Sequence, residues 1–253
     1  MKVTAFIGTA TKKHTCYAVE RFLQNLQSMG DVDCEIVRLS ECDIGICQGC
    51  KLCLDRGEEL CRFRDDRDML IEKLERSDGV VFASPNYSFN VSGIMKVFLD
   101  RLAFLFHRPR FFGKTFTGIV VEGIYGGKEI VKYFDFIGNG FGFNVVSGVC
   151  VRSLEPMGEK DKMNFDAAID RLSKKFYLQL VKKEFPVPSL FRVMIFRWAR
   201  SGIKRMLNED FKDYRYYRDK GWFESDYYYP VKLNPFKKLA GRFFDWMGSR
   251  KGL

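Results

Sequence analysis

The sequence predicts an α/β protein: a doubly wound, five-stranded parallel sheet with a C-terminal helical extension. Three observations lead there. Short apolar runs alternate with amphipathic, helix-periodic stretches over residues 3 to about 183. The connections that follow the strands carry the polar, glycine and cysteine residues, as expected where ligands bind beyond the carboxyl ends of parallel strands. Past Pro186 and Pro188 the composition turns basic and aromatic.

The elements follow in order. Val3 to Ile7 is an apolar run ending at Gly8, the first strand. After a polar loop, Tyr17 to Met29 places Val19, Phe22, Leu23 and Leu26 on one helical face, and Gly30 stops it. Cys34 to Leu39 is the second strand. An amphipathic helix spans Asp66 to Arg76. Gly79 to Ala83 is the third strand, and a helix runs from about Val91 to Leu105. Thr115 to Val121 is the fourth strand, followed by a helix to about Phe136. Phe143 to Val151 is the fifth strand, and a helix covers about Asn164 to Lys183. Alternating strands and helices at this spacing require a parallel sheet covered on both faces. The domain boundary falls at 185, leaving 186–253 as extension. Its helices are expected near Leu190 to Leu207, Asp210 to Lys220 and Asn234 to Met247.

Composition narrows the function classes. With 253 residues, 46% of them hydrophobic, the chain can bury one sizeable core. No window approaches the roughly 18–20 apolar residues of a membrane span. The N-terminus reads as a buried strand, not a signal peptide, so a cytoplasmic location is expected. Thiols stay reduced there, and eight cysteines then favour metal or redox use over disulfides. The net charge of +10 is unevenly placed: residues 186–253 hold 15 Lys+Arg against 7 Asp+Glu. No Ser-His-Asp or HExxH arrangement occurs. His107, in a basic turn, reads as a surface residue. No nucleic-acid-binding module is present.

Three loops and one cysteine cluster carry the candidate chemistry. Gly8 to Thr15 (GTATKKHT) joins the first strand to the first helix. Thr9, Thr11 and Thr15 offer hydroxyls, and Lys12, Lys13 or His14 offer charge, at a helix N-terminus suited to phosphate. The simpler reading is a polar turn with Thr15 as N-cap. Neither the Walker loop nor the G-x-G-x-x-G fingerprint is present. Ser84 to Gly93 (SPNYSFNVSG) follows the third strand. Its Asn86, Tyr87, Asn90 and Ser92 supply hydrogen-bonding groups and a ring, as a flavin edge requires; the simpler reading is a structural connection. Between these loops lie Cys47, Cys50, Cys53 and Cys61, spaced C-x2-C-x2-C-x7-C. Three readings stay open for them: an iron–sulfur cluster, zinc or reactive thiols, or no metal. Cys16, Cys34, Cys42 and Cys150 read as packing residues.

The segment SPNYSFNVSGIMKVFLDR, Ser84 to Arg101, resembles the S-P-x-Y-x(4)-S-G-x-x-K-x-F-x-D-R motif of flavodoxin-like NAD(P)H-dependent FMN reductases. FIGTATKKHT resembles that family's phosphate loop, with Ala10 and Thr11 where Pro and Arg are common. The cysteine spacing resembles the iron-sulfur flavoprotein branch. The resemblance covers about residues 1–180 and implies a flavodoxin-like fold. It implies FMN, with its phosphate on Thr9, Thr11, Lys12, His14 and Thr15. Pro85, Asn86, Tyr87 and Asn90 would line the ribityl chain and ring. Gly123, Tyr125, Gly126 and Gly127 match a third flavin-side loop in position and glycine content. The branch further implies a four-iron four-sulfur (4Fe-4S) cluster on Cys47, Cys50, Cys53 and Cys61. NAD(P)H is the implied cosubstrate, a small molecule or protein the electron acceptor, and a homodimer or tetramer the assembly. No catalytic acid or base is needed, because the flavin carries the chemistry.

Two rivals belong to other classes: a non-catalytic electron carrier or redox sensor acting through a partner, and a zinc-stabilised adaptor with an empty flavin fold. In the extension, Phe236, Leu239, Ala240, Phe243, Phe244 and Met247 recur at three and four, with Lys237, Lys238, Arg242 and Arg250 largely elsewhere. This is an amphipathic helix with a cationic polar face. Docking on its own domain or on a second subunit is the favoured expectation, and peripheral membrane contact the alternative.

Overall fold

The computed structural model describes residues 1–250; the last three residues of the extension lie outside the described residues. The chain divides into two compact units. The first comprises Met1–Gln48 and Phe63–Glu184, and the second Gly49–Arg62 and the chain from Phe185 onward.

The first unit is a parallel sheet in the order β2-β1-β3-β4-β5, with β6 also paired to β4. Its strands are β1 (Lys2–Ile7), β2 (Asp33–Arg38), β3 (Gly79–Pro85), β4 (Thr115–Glu122), β5 (Asn144–Val145) and β6 (Val149–Arg152). The helices are α1 (His14–Met29), α3 (Arg67–Arg76), α4 (Gly93–Arg101), α5 (Gly127–Phe141) and α6 (Glu159–Lys182); the four-residue α2 (Leu52–Asp55) belongs to the second unit. This doubly wound order puts β1 and β3 side by side at the point where the strand order reverses, the usual ligand crevice of such sheets.

Side-chain alternation splits the core. Val3, Ala5, Ile7, Val81, Ala83 and Ile119 face α1 and α6, meeting Phe22, Leu26, Ile169 and Phe176. Arg21 closes that pair of helices with a bidentate bond to Asp170, both contacts 2.8 Å. The opposite face is aromatic. Phe82 stands 5.7 Å from Phe6 and Phe98, 5.0 Å from Phe116 and 6.1 Å from Phe134. A Cβ on Gly118 would lie 2.8 Å from the Phe134 ring, so this ring packs directly on strand backbone.

The expected fifth strand, Phe143 to Val151, is broken. Thr115 and Phe116 pair with Asn144 and Val145, whereas Ile119 to Glu122 pair with Val149 to Arg152, a shift of one residue in register. The extra residue is accommodated by a bulge. Asp135 holds it, accepting from Ser147 Oγ at 2.7 Å and Gly148 N at 3.1 Å. The helix expected from Val91 to Leu105 is likewise α4 followed by a separate 3₁₀ turn, Ala103–Phe106.

The second unit contains α7 (Leu190–Met206), α8 (Lys212–Asp219) and α9 (Pro235–Arg250). Phe196, Trp222 and Tyr228 form its aromatic centre, with ring centroids 4.4 to 6.4 Å apart. Arg197 and Arg200, both buried, converge on Asp245 of α9 with bonds of 2.8 to 3.0 Å. The Gly49–Arg62 segment is held to α8 by Lys212 Nζ on Glu59 Oε1 at 2.9 Å and Arg215 Nη2 on the Arg56 carbonyl at 3.3 Å. Among the described residues no helix is long and apolar enough to cross a membrane.

Gly118→Ala should overpack the Phe134 contact. Urea unfolding of the variant is expected to show a loss of about 1–3 kcal/mol with an unchanged m-value.

Candidate functional site

Gly8 turns the chain from β1 toward α1. A Cβ there would stand 2.6 Å from Met95 Cβ and 2.9 Å from Ser92 Oγ, so glycine lets the start of α4 close on this loop. The closure is hydrogen-bonded. Gly8 N donates to the Ala83 carbonyl at 2.8 Å, and Ser92 Oγ donates to the Gly8 carbonyl. Ser92 Oγ also accepts from Met95 N at 3.2 Å as the N-cap of α4, and Ser92 N donates to Ser84 Oγ at 2.9 Å. The loops after β1 and β3 are thereby one assembly.

In the first loop Thr9 is buried, and its Oγ1 accepts from Thr11 N at 3.3 Å and lies 3.2 Å from Thr11 Oγ1. Thr11, Lys12 and Lys13 are exposed. Thr15 is not the N-cap expected from the sequence. The helix starts one residue earlier, at His14, and Thr15 is buried within its first turn. The cap position falls on Lys13, no side chain caps it, and the first turn holds no acidic residue. The first-turn N–H groups are thus uncapped by side chains and lie beside the Thr9 and Thr11 hydroxyls. His14 is turned to another partner: its Nε2 lies 2.6 Å from Glu155 Oε1.

The second and third loops meet. Pro85 is the buried last residue of β3. Asn86 N donates to the Val121 carbonyl at 2.8 Å, and Asn86 Nδ2 to the Tyr125 carbonyl at 2.9 Å. Its Oδ1 is buried and has no hydrogen-bond partner, an acceptor left waiting at the edge of the sheet. Tyr87 and Asn90 exchange backbone bonds of 3.0 Å across Ser88 and Phe89, whose φ values of 50° and 61° make a tight turn. That turn lifts Phe89 into solvent, where its ring lies 5.1 Å from that of Tyr125. Gly126 adopts φ 97°, and a Cβ on it would lie 2.7 Å from the Phe89 ring. Gly127 N is already satisfied by Glu122 Oε2 at 2.7 Å, and Gly123 lies on an open stretch of the loop. Sequence reasoning missed Phe89. Its signal is its place between two paired residues, which forces the side chain outward. Burial, with Glu122 nearby, pushes the Cys150 thiol up to about 12, which disfavours its thiolate.

The cysteine segment leaves and re-enters the first unit at a buried ion pair. Arg101, the last residue of α4, and Asp65 have side chains only 2% and 6% exposed. Arg101 Nη1 donates to Asp65 Oδ2 and, at 2.9 Å, to the Gly45 carbonyl, while Nη2 reaches Asp65 Oδ1 at 3.1 Å. Gly45 N donates to Asp65 Oδ2 at 2.9 Å, and the guanidinium carbon lies 4.6 Å from the Phe63 ring centroid. Cys47 belongs to the first unit; Cys50, Cys53 and Cys61 belong to the second. Cys47 and Cys50 are exposed, and Cys53 and Cys61 half-buried. Among the described residues no three His, Cys, Asp or Glu side chains stand close enough to hold a metal ion. Within the second unit, Cys50, Cys53 and Cys61 do not form such a group.

An open, doubly wound parallel sheet in the order β2-β1-β3-β4-β5, with helices on both faces, places the chain in the flavodoxin-like class of α/β proteins. Within it, residues 1–153 match the model of the NADPH-dependent FMN reductase family, and the chain belongs to that family. It falls in the iron-sulfur flavoprotein branch. It is 35% identical over 159 residues to an iron-sulfur flavoprotein of Archaeoglobus fulgidus, covering 58% of this chain and 71% of that one. It is 28% identical over 188 residues to an iron-sulfur flavoprotein of Clostridioides difficile, covering 73% and 80%. The solved structure of RosB with its bound intermediate 8-demethyl-8-formylriboflavin-5'-phosphate shares the fold, with TM-score 0.59 and 14% identity over 93% of this chain and 92% of that one. Family membership places the chain among flavin-dependent oxidoreductases.

Burial alone would raise the Asp65 pKa, but the bonds from Arg101, Gly45 N and Arg67 N hold it below the ordinary aspartate value. A depressed carboxylate pKa stabilises the fold above the unfolded value, about 3.9, and that stabilisation is lost as pH falls further. Asp65→Asn should cost roughly 3–5 kcal/mol at neutral pH by stranding Arg101. The gap to wild type is expected to narrow on acidification below about pH 3.9, measured by denaturant midpoints across pH.

Proposed function

We propose that the chain binds FMN across the loops after β1, β3 and β4, takes hydride from NAD(P)H, and passes electrons to a small-molecule or protein acceptor. The carrying observation is the start of α1: an uncapped helix N-terminus without acidic residues, beside the Thr9 and Thr11 hydroxyls. Thr9, Thr11 and the first-turn N–H groups, including that of Thr15, would hold the phosphate. Lys12 adds positive charge from the exposed side. His14, engaged by Glu155, orients that side of the loop instead of contributing a free donor. Bound FMN would supply hydride acceptance and one- or two-electron release.

The rest of the loop set suits such a ligand. Asn86 Oδ1 is an acceptor free for a ligand N–H or O–H, while its Nδ2 keeps the third loop in place. The second-loop backbone from Pro85 to Asn90 would run along the ribityl chain and ring. Tyr87, Phe89 and Tyr125, all more than half exposed, would form an aromatic wall that excludes water from one ring face. Gly126 leaves the third-loop backbone without a side chain at the closest approach. Hydride transfer requires stacking of the nicotinamide rather than a protein acid or base, in keeping with a site rimmed by rings and amides. Self-assembly into a dimer or tetramer is part of the same reading.

The cysteines carry a second reading. The C-x2-C-x2-C-x7-C spacing and the names of the relatives favour a 4Fe-4S cluster, whereas the placement of the thiols does not gather a ligand set. We therefore route no electrons through Cys47, Cys50, Cys53 and Cys61.

Two experiments test this. Thr11→Glu puts a carboxylate at the proposed phosphate site. It should weaken FMN at least about tenfold, near 1.4 kcal/mol, while leaving riboflavin affinity unchanged in fluorescence titrations. Equal loss for both ligands would remove the phosphate assignment. Replacing all four segment cysteines with serine should leave FMN content and steady-state NAD(P)H oxidation within about twofold of wild type. Abolished turnover with retained FMN would put those thiols in the electron path.

A further inference from the structure

Helix α9 packs by a face rotated from the centre of its apolar pattern, with Ala240, Phe244 and Met247 half-buried. Its buried positions are Gly241 and Gly248. A Cβ on Gly248 would lie 2.9 Å from the Trp198 carbonyl oxygen and 3.0 Å from Ser201 Cβ, and one on Gly241 would lie 3.2 Å from Arg197 Nε. The glycines thus bring α9 close against α7. The large apolar residues are left outside: Phe236 is 67% exposed, Leu239 68%, Phe243 53% and Trp246 49%. At helical spacing these four form one stripe.

The charges on α9 are sorted as well. Asp245 is its only acidic residue. It points inward, accepting from Arg197, Arg200 and Ser201. Lys238, Arg242 and Arg250 are exposed. The Arg250 guanidinium carbon lies 4.6 Å from the Trp246 ring centroid, so one cation sits directly at the stripe. The outward face of α9 therefore presents apolar side chains edged by cations and no carboxylate.

We propose that this face docks the protein on an anionic lipid surface. An apolar stripe of this size facing water calls for an occupant. The charge pattern selects which one. A second copy meeting it about a two-fold axis would set like charges against like, because such contacts are self-complementary. An anionic bilayer neutralises the Lys and Arg edge and takes Phe, Leu and Trp into its headgroup boundary, the arrangement of interfacial helices. Trp246 at the stripe's C-terminal end suits that depth. The helix docks on α7 as expected, and the four exposed apolar side chains are the part of its pattern that this packing leaves open.

The test uses the full chain with vesicles of phosphatidylcholine alone or mixed with phosphatidylglycerol. Binding to the mixed vesicles should exceed binding to neutral ones at least about tenfold and fall at high salt. Trp246 emission should shift to the blue, a change lost in Trp246→Phe. Both Leu239→Glu/Phe243→Glu and Lys238→Glu/Arg242→Glu should abolish sedimentation with vesicles while keeping the wild-type circular dichroism spectrum. Three results would overturn the proposal: no binding to mixed vesicles, equal binding of the stripe variant, or a dimer in light scattering that the stripe variant dissolves without any vesicle binding. None of these readouts depends on flavin.

Discussion

The buried pair of Arg101 and Asp65 is the constraint on which the sheet edge depends. Two charges with side chains 2% and 6% exposed are costly to desolvate, and attraction alone rarely compensates. Here the remaining valences are filled. The guanidinium also bonds the Gly45 carbonyl, and the carboxylate also accepts from Gly45 and Arg67 N–H. The pair therefore fixes the backbone on both sides of the cysteine segment, at Gly45 and at Asp65. A long excursion between strand and helix is held at its base, so its interior can vary without disturbing the first loop.

Helix α4 carries that constraint to the loops after β1 and β3. Its N-cap Ser92 binds the Gly8 carbonyl and the Ser84 hydroxyl, and nine residues on, Arg101 binds Gly45 and Asp65. One short helix thus ties together the loop after β1, the strand that precedes it and the cysteine segment. This gives a physical meaning to the Ser84–Arg101 motif. Ser84 and Ser92 close the loop over β1, Arg101 clamps the segment, and Asn86 holds the third loop through the Tyr125 carbonyl. The motif contains few ligand groups. Most of it is scaffolding that holds the loops after β1, β3 and β4 together.

The parts of the fold legible in the sequence were those set by periodicity. Val3 to Ile7, Gly79 to Ala83 and Thr115 to Val121 read as strands because burial on both faces demands unbroken apolar runs. The α1 face of Val19, Phe22, Leu23 and Leu26 is buried as its spacing implies. What escaped was set by contacts distant in sequence. The break in the fifth strand depends on Asp135 reaching Ser147 and Gly148. The start of α1 at His14 leaves Thr15 buried inside the helix, a packing outcome that hydroxyl propensity does not report. Phe89 escaped notice because its exposure depends on the turn made by Ser88 and Phe89 themselves. The loops after β1, β3 and β4 were legible as loops because their glycines, prolines and asparagines punctuate strand ends.

Helix α9 shows why amphipathicity alone misassigns a packing face. A hydrophobic stripe defines an inside only if the neighbour offers an apolar surface. The neighbour of α9 presents Arg197 and Arg200, which are buried and must find a carboxylate. Asp245 answers them, and that requirement orients the helix before any apolar contact does. Gly241 and Gly248 flank Asp245 on the same side and allow the backbone close enough for the bonds of 2.8 to 3.0 Å to form. Rotating α9 to bury Phe243 would remove Asp245 from both guanidinium groups, leaving Arg197 on Asp226 and Arg200 on backbone carbonyls. Losing the carboxylate of a buried pair costs about 3–5 kcal/mol, more than the roughly 1.5–3 kcal/mol gained from burying one such side chain. The ion pair determines which face points in, and the exposed stripe is its consequence.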